Sequence, residues 1–150
     1  LASHDDTTAE QVAVSGGYGI RLAEFPTTVE AARTCHAHDI AVIMGAPNLI
    51  RGGSHSGNVA AGELADLGFL DILSSDYVPS ALLLGAVQLG ARWGDMAHGL
   101  ATVTANPARA VGLSDRGQLA VNARADLIRF RLRSGAPALR GVWSQGARVA

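Results

Sequence analysis

The chain has 150 residues, of which 48% are hydrophobic and 17% charged, and its formal net charge is −1. This length and balance describe a folded domain with a real core and exclude a disordered chain. The near-neutral charge gives no electrostatic case for nucleic acid or an anionic membrane, and all twelve basic residues are Arg, which excludes a Schiff-base, P-loop or carbamylated lysine within this segment.

Apolar runs and helix signals alternate along the chain. Leu1-Ala2-Ser3 reads as a strand end. Thr7-x-x-Glu10 is a capping box, which predicts a helix from Thr8 to Ser15 that Gly16, Gly17 and Gly19 end. Ile20 to Phe25 reads as a strand stopped by Pro26. A second box, Thr27-x-x-Glu30, opens a helix to His38. Ile40 to Met44 reads as a buried strand. Gly45 to Gly57 is expected to be a glycine-rich loop, and Asn58 to cap a helix from Val59 to Leu67. Phe69 to Ser74 is the next strand, and a helix follows Pro79-Ser80 to Trp93. Strand ends recur every ~20–25 residues, the rhythm of βα units around a parallel sheet.

The style then changes. Asp95 to Thr104 looks helical, and Asn106-Pro107 marks a cap with proline at the first helical position. Gly117 to Leu119, Ala125 to Phe130 and Val142 to Val149 read as strands, the last with a turn at Gln145-Gly146. They predict a small antiparallel module. The domain expectation is a βα unit over 1–112 and a β module over 113–150.

Three polar clusters each follow a predicted strand: Ser3-His4-Asp5-Asp6, Arg51 to Asn58, and Ser74 to Tyr77. In a parallel βα arrangement they converge on one face. His4 and Asp76 are side chains of the type that bind a divalent ion such as zinc, and a carboxylate beside a metal-activated water can take its proton. The same His-Asp-Asp run also reads as a plain helix-cap cluster. Gly52, Gly53 and Gly57 allow close backbone approach, while Ser54, Ser56 and Asn58 add donors before a helix; this is the composition of an anion cradle, with Arg51 as a forked phosphate contact. A solvated loop is the plainer reading. His55 is open to three roles: ligand, acid/base or phosphate donor. Tyr77 stands where it can line a pocket. Glu24 reads as a strand-end or supporting carboxylate, and His36, His38 and His98 read as solvated helix residues. Trp93 and Trp143 read as core or interface residues. The lone cysteine, Cys35, reads as structural and fits a reducing, cytoplasmic setting. No apolar run reaches the ~18 residues of a membrane span.

The runs LASHDD, AEFPTT, VIMGAPNLIRGGSHSGN, DILSSDYVPS and VTANPAR resemble the α-D-ribose 1-methylphosphonate 5-triphosphate diphosphatase family, amidohydrolase-superfamily enzymes of phosphonate breakdown. The resemblance covers essentially the whole chain. It implies an α/β fold: strands five to eight of a TIM-like (β/α)8 barrel, followed by the C-terminal strands of a small β-sandwich. It implies that His4 is the strand-five metal ligand and Asp76 the strand-eight aspartate, which binds metal and handles the proton of the attacking water. One or two divalent ions, zinc by analogy, and a phosphorylated small-molecule substrate follow. Glu24-Phe25-Pro26 stands where the superfamily often has a strand-six His, with His55 as a substitute. The ligands of strands one and four fall outside these residues, so the expectation is an incomplete chain, inactive alone and self-associating through its open edges. Two other readings remain: hydrolysis of C–N bonds on the same scaffold, and a non-catalytic anion-binding half-barrel.

Overall fold

The first two helices each start one residue later than their capping boxes predict. In the computed structural model, which describes residues 1–54 and 56–150, α1 (Ala9–Gly17) is capped by Thr8, whose hydroxyl accepts from the Gln11 amide at 3.3 Å while the Gln11 side chain accepts from the Thr8 amide. The box is therefore Thr8-x-x-Gln11. In α2 (Val29–Ala37), Thr28 caps the Ala31 amide at 3.0 Å. Thr7, displaced from the cap, instead receives two bonds that hold the two loops together. Thr27 Oγ1 donates to Thr7 Oγ1 at 2.8 Å, and Thr28 Oγ1 to the Thr7 carbonyl at 2.7 Å. A paired threonine leaves the sequence ambiguous by one residue, and this cross-loop pairing resolves it.

The chain divides into two compact units, Leu1–Gly85 and Ala86–Ala150. In the first, β1 (Ser3–His4), β2 (Leu22–Glu24), β3 (Ala41–Gly45) and β4 (Ile72–Ser74) form one parallel sheet in the order β1-β2-β3-β4. Register is continuous: His4 opposes Glu24, Glu24 opposes Ile43, and Gly45 opposes Ser74. β2 and β4 are shorter than predicted and β3 is shifted by one residue, because only these residues find parallel partners. Val12, Ala31, Ala32, Cys35, Val42 and Leu64 are fully buried and form the core. Each large aliphatic side chain removed from water stabilises the unit by ~1.5–3 kcal/mol.

The expected loop from Gly45 to Gly57 contains a short helix, α3 (Ala46–Arg51), with Pro47 in its first turn and Gly52 as its left-handed C-cap at φ 82°. The next helix, α4 (Ala61–Asp66), starts after Ala60, so Asn58 is not its cap. Asn48 does that work from α3: its Oδ1 accepts from the Ala61 amide at 2.9 Å and its Nδ2 donates to the Val59 carbonyl at 3.4 Å. His36 is likewise not a solvated residue. Its Nε2 lies 2.8 Å from Asp71 Oδ2, which also accepts from the Val42 amide at 2.8 Å, and its ring meets Phe69 edge-on. The contact ties α2 to the lower ends of β3 and β4.

Helix α5 (Ala81–Trp93) runs across the division between the units. In the second unit, Asp95 caps α6 (Met96–Ala101). Gly99 packs against the backbone of Gly90 so closely that a Cβ on Gly99 would collide with the Gly90 nitrogen. His98 is exposed, as read from the sequence, and its ring stacks on Trp93 at 4.3 Å. α7 (Ala105–Ala110) begins before Asn106, which places Pro107 at its third position rather than its first. Three antiparallel strands follow: β5 (Leu127–Arg133), β6 (Ala136–Ser144) and β7 (Ala147–Arg148). Ser134-Gly135 and Gln145-Gly146 form the two-residue turns, all four with positive φ as primed hairpins require. The predicted Gly117–Leu119 strand is absent, since these residues find no ladder partner. Among the described residues, no helix is long and apolar enough to cross a membrane.

Candidate substrate cleft

Because all four strands of the first sheet are parallel and in register, His4, Glu24, Gly45 and Ser74 end on one side of it. Above these ends lies a cleft of ≈ 180 Å³, lined by Asp5, Phe25, Pro26, Met44, Asn48, Gly53, Ser54, Ser56, Asn58, Val59, Asp76 and Tyr77. The three polar clusters of the sequence therefore each contribute to one cleft, as βα topology requires.

Asp76 follows β4 in a left-handed conformation at φ 49°, uncommon for a residue with a side chain. Its carboxylate lies over the end of β3. A Cβ built on Gly45 would come within 3.0 Å of Asp76 Oδ2, so the glycine makes room for the acid. Arg51, at the end of α3, does not line the cleft. Its Nη1 donates to the Tyr77 hydroxyl at 3.1 Å and so reaches the cleft through a residue that does line it. Gly52 turns the chain away from α3, and Gly53 returns it to the cleft wall. Ser54 Oγ accepts from the Ser56 amide at 3.0 Å, which tightens the loop. The helix N-terminus expected behind Asn58 is absent from the wall. Its first amide, Ala61, is already taken by Asn48.

His4 stands beside the cleft with its side chain half exposed. Its Nδ1 is 2.9 Å from Asp5 Oδ2, its Nε2 is 3.8 Å from Glu24 Oε2, and Phe25 meets its ring edge-on at 5.4 Å. Asp5 thereby holds the imidazole and also lines the cleft. Among the described residues, no group of three or more His, Cys, Asp or Glu is arranged to hold a metal ion. His4 and Asp76 are too few to hold one, so by themselves they do not fit that expectation. His55 lies outside the described residues.

Sequence reasoning missed Asn48 and Gly45. Asn48 was hidden because its partners lie more than ten residues ahead, while Asn58 offered a nearer cap. Gly45 was read as part of a flexible run, and only the path of Asp76 gives its missing side chain a purpose.

No family model matches the chain. It is 49% identical over 152 residues to the α-D-ribose 1-methylphosphonate 5-triphosphate diphosphatase of Escherichia coli (strain K12), a match that takes in 99% of this chain and 40% of that relative. The chain thus spans well under half the relative's length. Among solved structures, an uncharacterised protein superposes with a TM-score of 0.72 at 20% identity, covering 99% of this chain and 44% of its own. The β-aspartyl dipeptidase of Fervidobacterium islandicum AW-1 superposes with a TM-score of 0.60 at 17% identity, covering 85% and 38%. At these identities the structural likeness speaks for the fold alone.

Proposed function

We propose that this chain is the part of a phosphonate-pathway hydrolase formed by barrel strands five to eight and the last strands of a β-sandwich, and that the whole enzyme releases pyrophosphate from a ribose 1-phosphonate 5-triphosphate. The observation that carries this reading is the 49% identity over 99% of the chain. The cleft supports it. Gly53, Ser54, Ser56 and Asn58 form a wall of small and hydrogen-bonding residues, and Arg51 reaches the same wall through Tyr77.

In this reading, the loop and the Arg51–Tyr77 pair hold the triphosphate, Asp76 takes the proton of the attacking water, and His55 serves the leaving group. His4 and Asp76 are the residues that the resemblance assigns to a divalent ion, zinc by analogy. That ion would supply activated water. In the resemblance the remaining ligands belong to barrel strands one and four, outside the 40% of the relative that this chain matches.

The test is a chimera in which this chain replaces the matching 40% of the E. coli relative. Pyrophosphate release from α-D-ribose 1-methylphosphonate 5-triphosphate, lost on Asp76→Asn, is expected. Turnover of N-acyl or cyclic amide substrates in its place overturns the proposal. A second measurement needs no chimera. Calorimetry of the 150-residue chain with inorganic tripolyphosphate should show binding that Arg51→Ala weakens about tenfold, the value of one charged contact. No binding removes the anion-holding role.

A further inference from the structure

The near-neutral total conceals two halves of opposite sign. Leu1–Gly85 contains ten acidic residues against three arginines, a formal charge of −7, whereas Ala86–Ala150 contains nine arginines against three acids, a formal charge of +6. The positive charge is also concentrated locally. Cross-strand partners share a face of an antiparallel pair. Arg129 opposes Gly141, Arg131 opposes Ala138, Arg133 opposes Ala136, and Trp143 opposes both Leu127 and Arg148. Four arginines and one indole therefore stand on a single face of the β5–β7 sheet, three of the arginines opposite small residues and Arg148 opposite the indole. No Asp or Glu occurs on any of the three strands.

That face is ordered. The Arg129 and Arg148 guanidinium carbons lie 5.8 and 5.9 Å from the Trp143 ring centre. The indole lies over Gly141, where a Cβ would come within 2.6 Å of it. Arg131 and Arg133 are exposed and, among the described residues, have no ion pair. The first unit is the complement. Glu10, Glu30, Asp39 and Glu63 are exposed, while its three arginines are engaged, Arg21 at the Ile20 carbonyl, Arg33 over Phe69 and Arg51 at Tyr77.

We propose that the Arg129/Arg131/Arg133/Arg148 face of the antiparallel sheet docks on the acidic parallel-sheet unit of a second copy of this chain. Two such contacts, each setting these four arginines against a unit of net charge −7, close a two-fold dimer. A nucleic acid fits less well, because each chain would also bring seven net negative charges towards it. The inference does not depend on the catalytic reading.

Light scattering after size exclusion tests it. At about 25 mM salt the chain should be dimeric, and at about 500 mM, where screening shortens the reach of charge to a few Å, monomeric. Arg131→Glu/Arg133→Glu should weaken the dimer by about tenfold or more, and Arg131→Lys/Arg133→Lys should retain it. Both double variants are at exposed positions, and unchanged thermal unfolding checks that each is folded. A monomer at low salt, compact or expanded, overturns the proposal. So does a dimer indifferent to salt and to charge reversal, which would point to the open sheet edges instead. A monomer that retards a single-stranded oligonucleotide, with the retardation lost in the Glu variant, overturns it in favour of nucleic acid.

Discussion

Replacing His36 with alanine should destabilise the first unit in a way that depends on pH. The His36 ring nitrogen is 2.8 Å from Asp71 Oδ2, and both side chains are about two-thirds buried. The hydrogen bond to Asp71 raises the His36 pKa above its usual value, against the opposing pull of burial, with the Asp71 charge adding to the rise. A raised folded-state pKa means that the folded chain holds the proton more tightly than the unfolded chain. The stabilisation is therefore fully present below the unfolded value of ~6.5 and is lost as pH rises through the folded value. A hydrogen bond with a charged partner contributes ~1.5–3 kcal/mol, and the discount for partial exposure places His36 at the lower end. Loss of the ring contact with Phe69 adds a pH-independent part. Urea unfolding at several pH values separates the two. The gap between the parent and His36→Ala should be widest at acid pH and narrow as pH rises. A gap that is flat, or that widens towards alkaline pH, refutes the reasoning. Asp71→Ala should cost more than His36→Ala, because it also strands the Val42 amide.

Further outcomes follow from the packing. Asn48→Ala removes the cap of α4 and should cost ~1–2 kcal/mol in unfolding free energy; an unchanged value would mean the cap is idle. Gly45→Ala should shift the Asp76 carboxylate by a few tenths of an ångström in a crystal structure, since the new methyl group would lie 3.0 Å from Oδ2; an unmoved carboxylate would deny Gly45 its positioning role. Gly99→Ala should destabilise the second unit by ~1–3 kcal/mol or more through overpacking against Gly90, read as a drop in melting temperature. The Cys35 thiol is pushed up to about 11 by burial, with Asp6 and Asp71 adding to the rise. It should resist a disulfide reagent at about pH 8 until the chain unfolds, and fast labelling of the folded chain would contradict its burial.

The sequence by itself determined the alternation of strands and helices in the first unit and the side of the sheet on which the three polar clusters gather. Buried apolar runs such as Ile40 to Met44, separated by capped helices, admit little but parallel βα units, and parallel strands place the residues after them together. Glycine beside a polar residue likewise marked the Gln145-Gly146 turn. What it left open turned on partners distant along the chain. Thr7 and Thr8 are equivalent caps until Thr27 and Thr28 both bond to Thr7. A helix inside the glycine-rich stretch, and Asn48 as the cap of α4, depend on where α3 meets the loop after it. His36 reads as a surface residue until Asp71 arrives from thirty-five positions away. The net charge shows the same limit: a sum over the chain cannot reveal that the arginines collect on one sheet face, because which side chains share a face is fixed by pairing register, a property of the folded backbone.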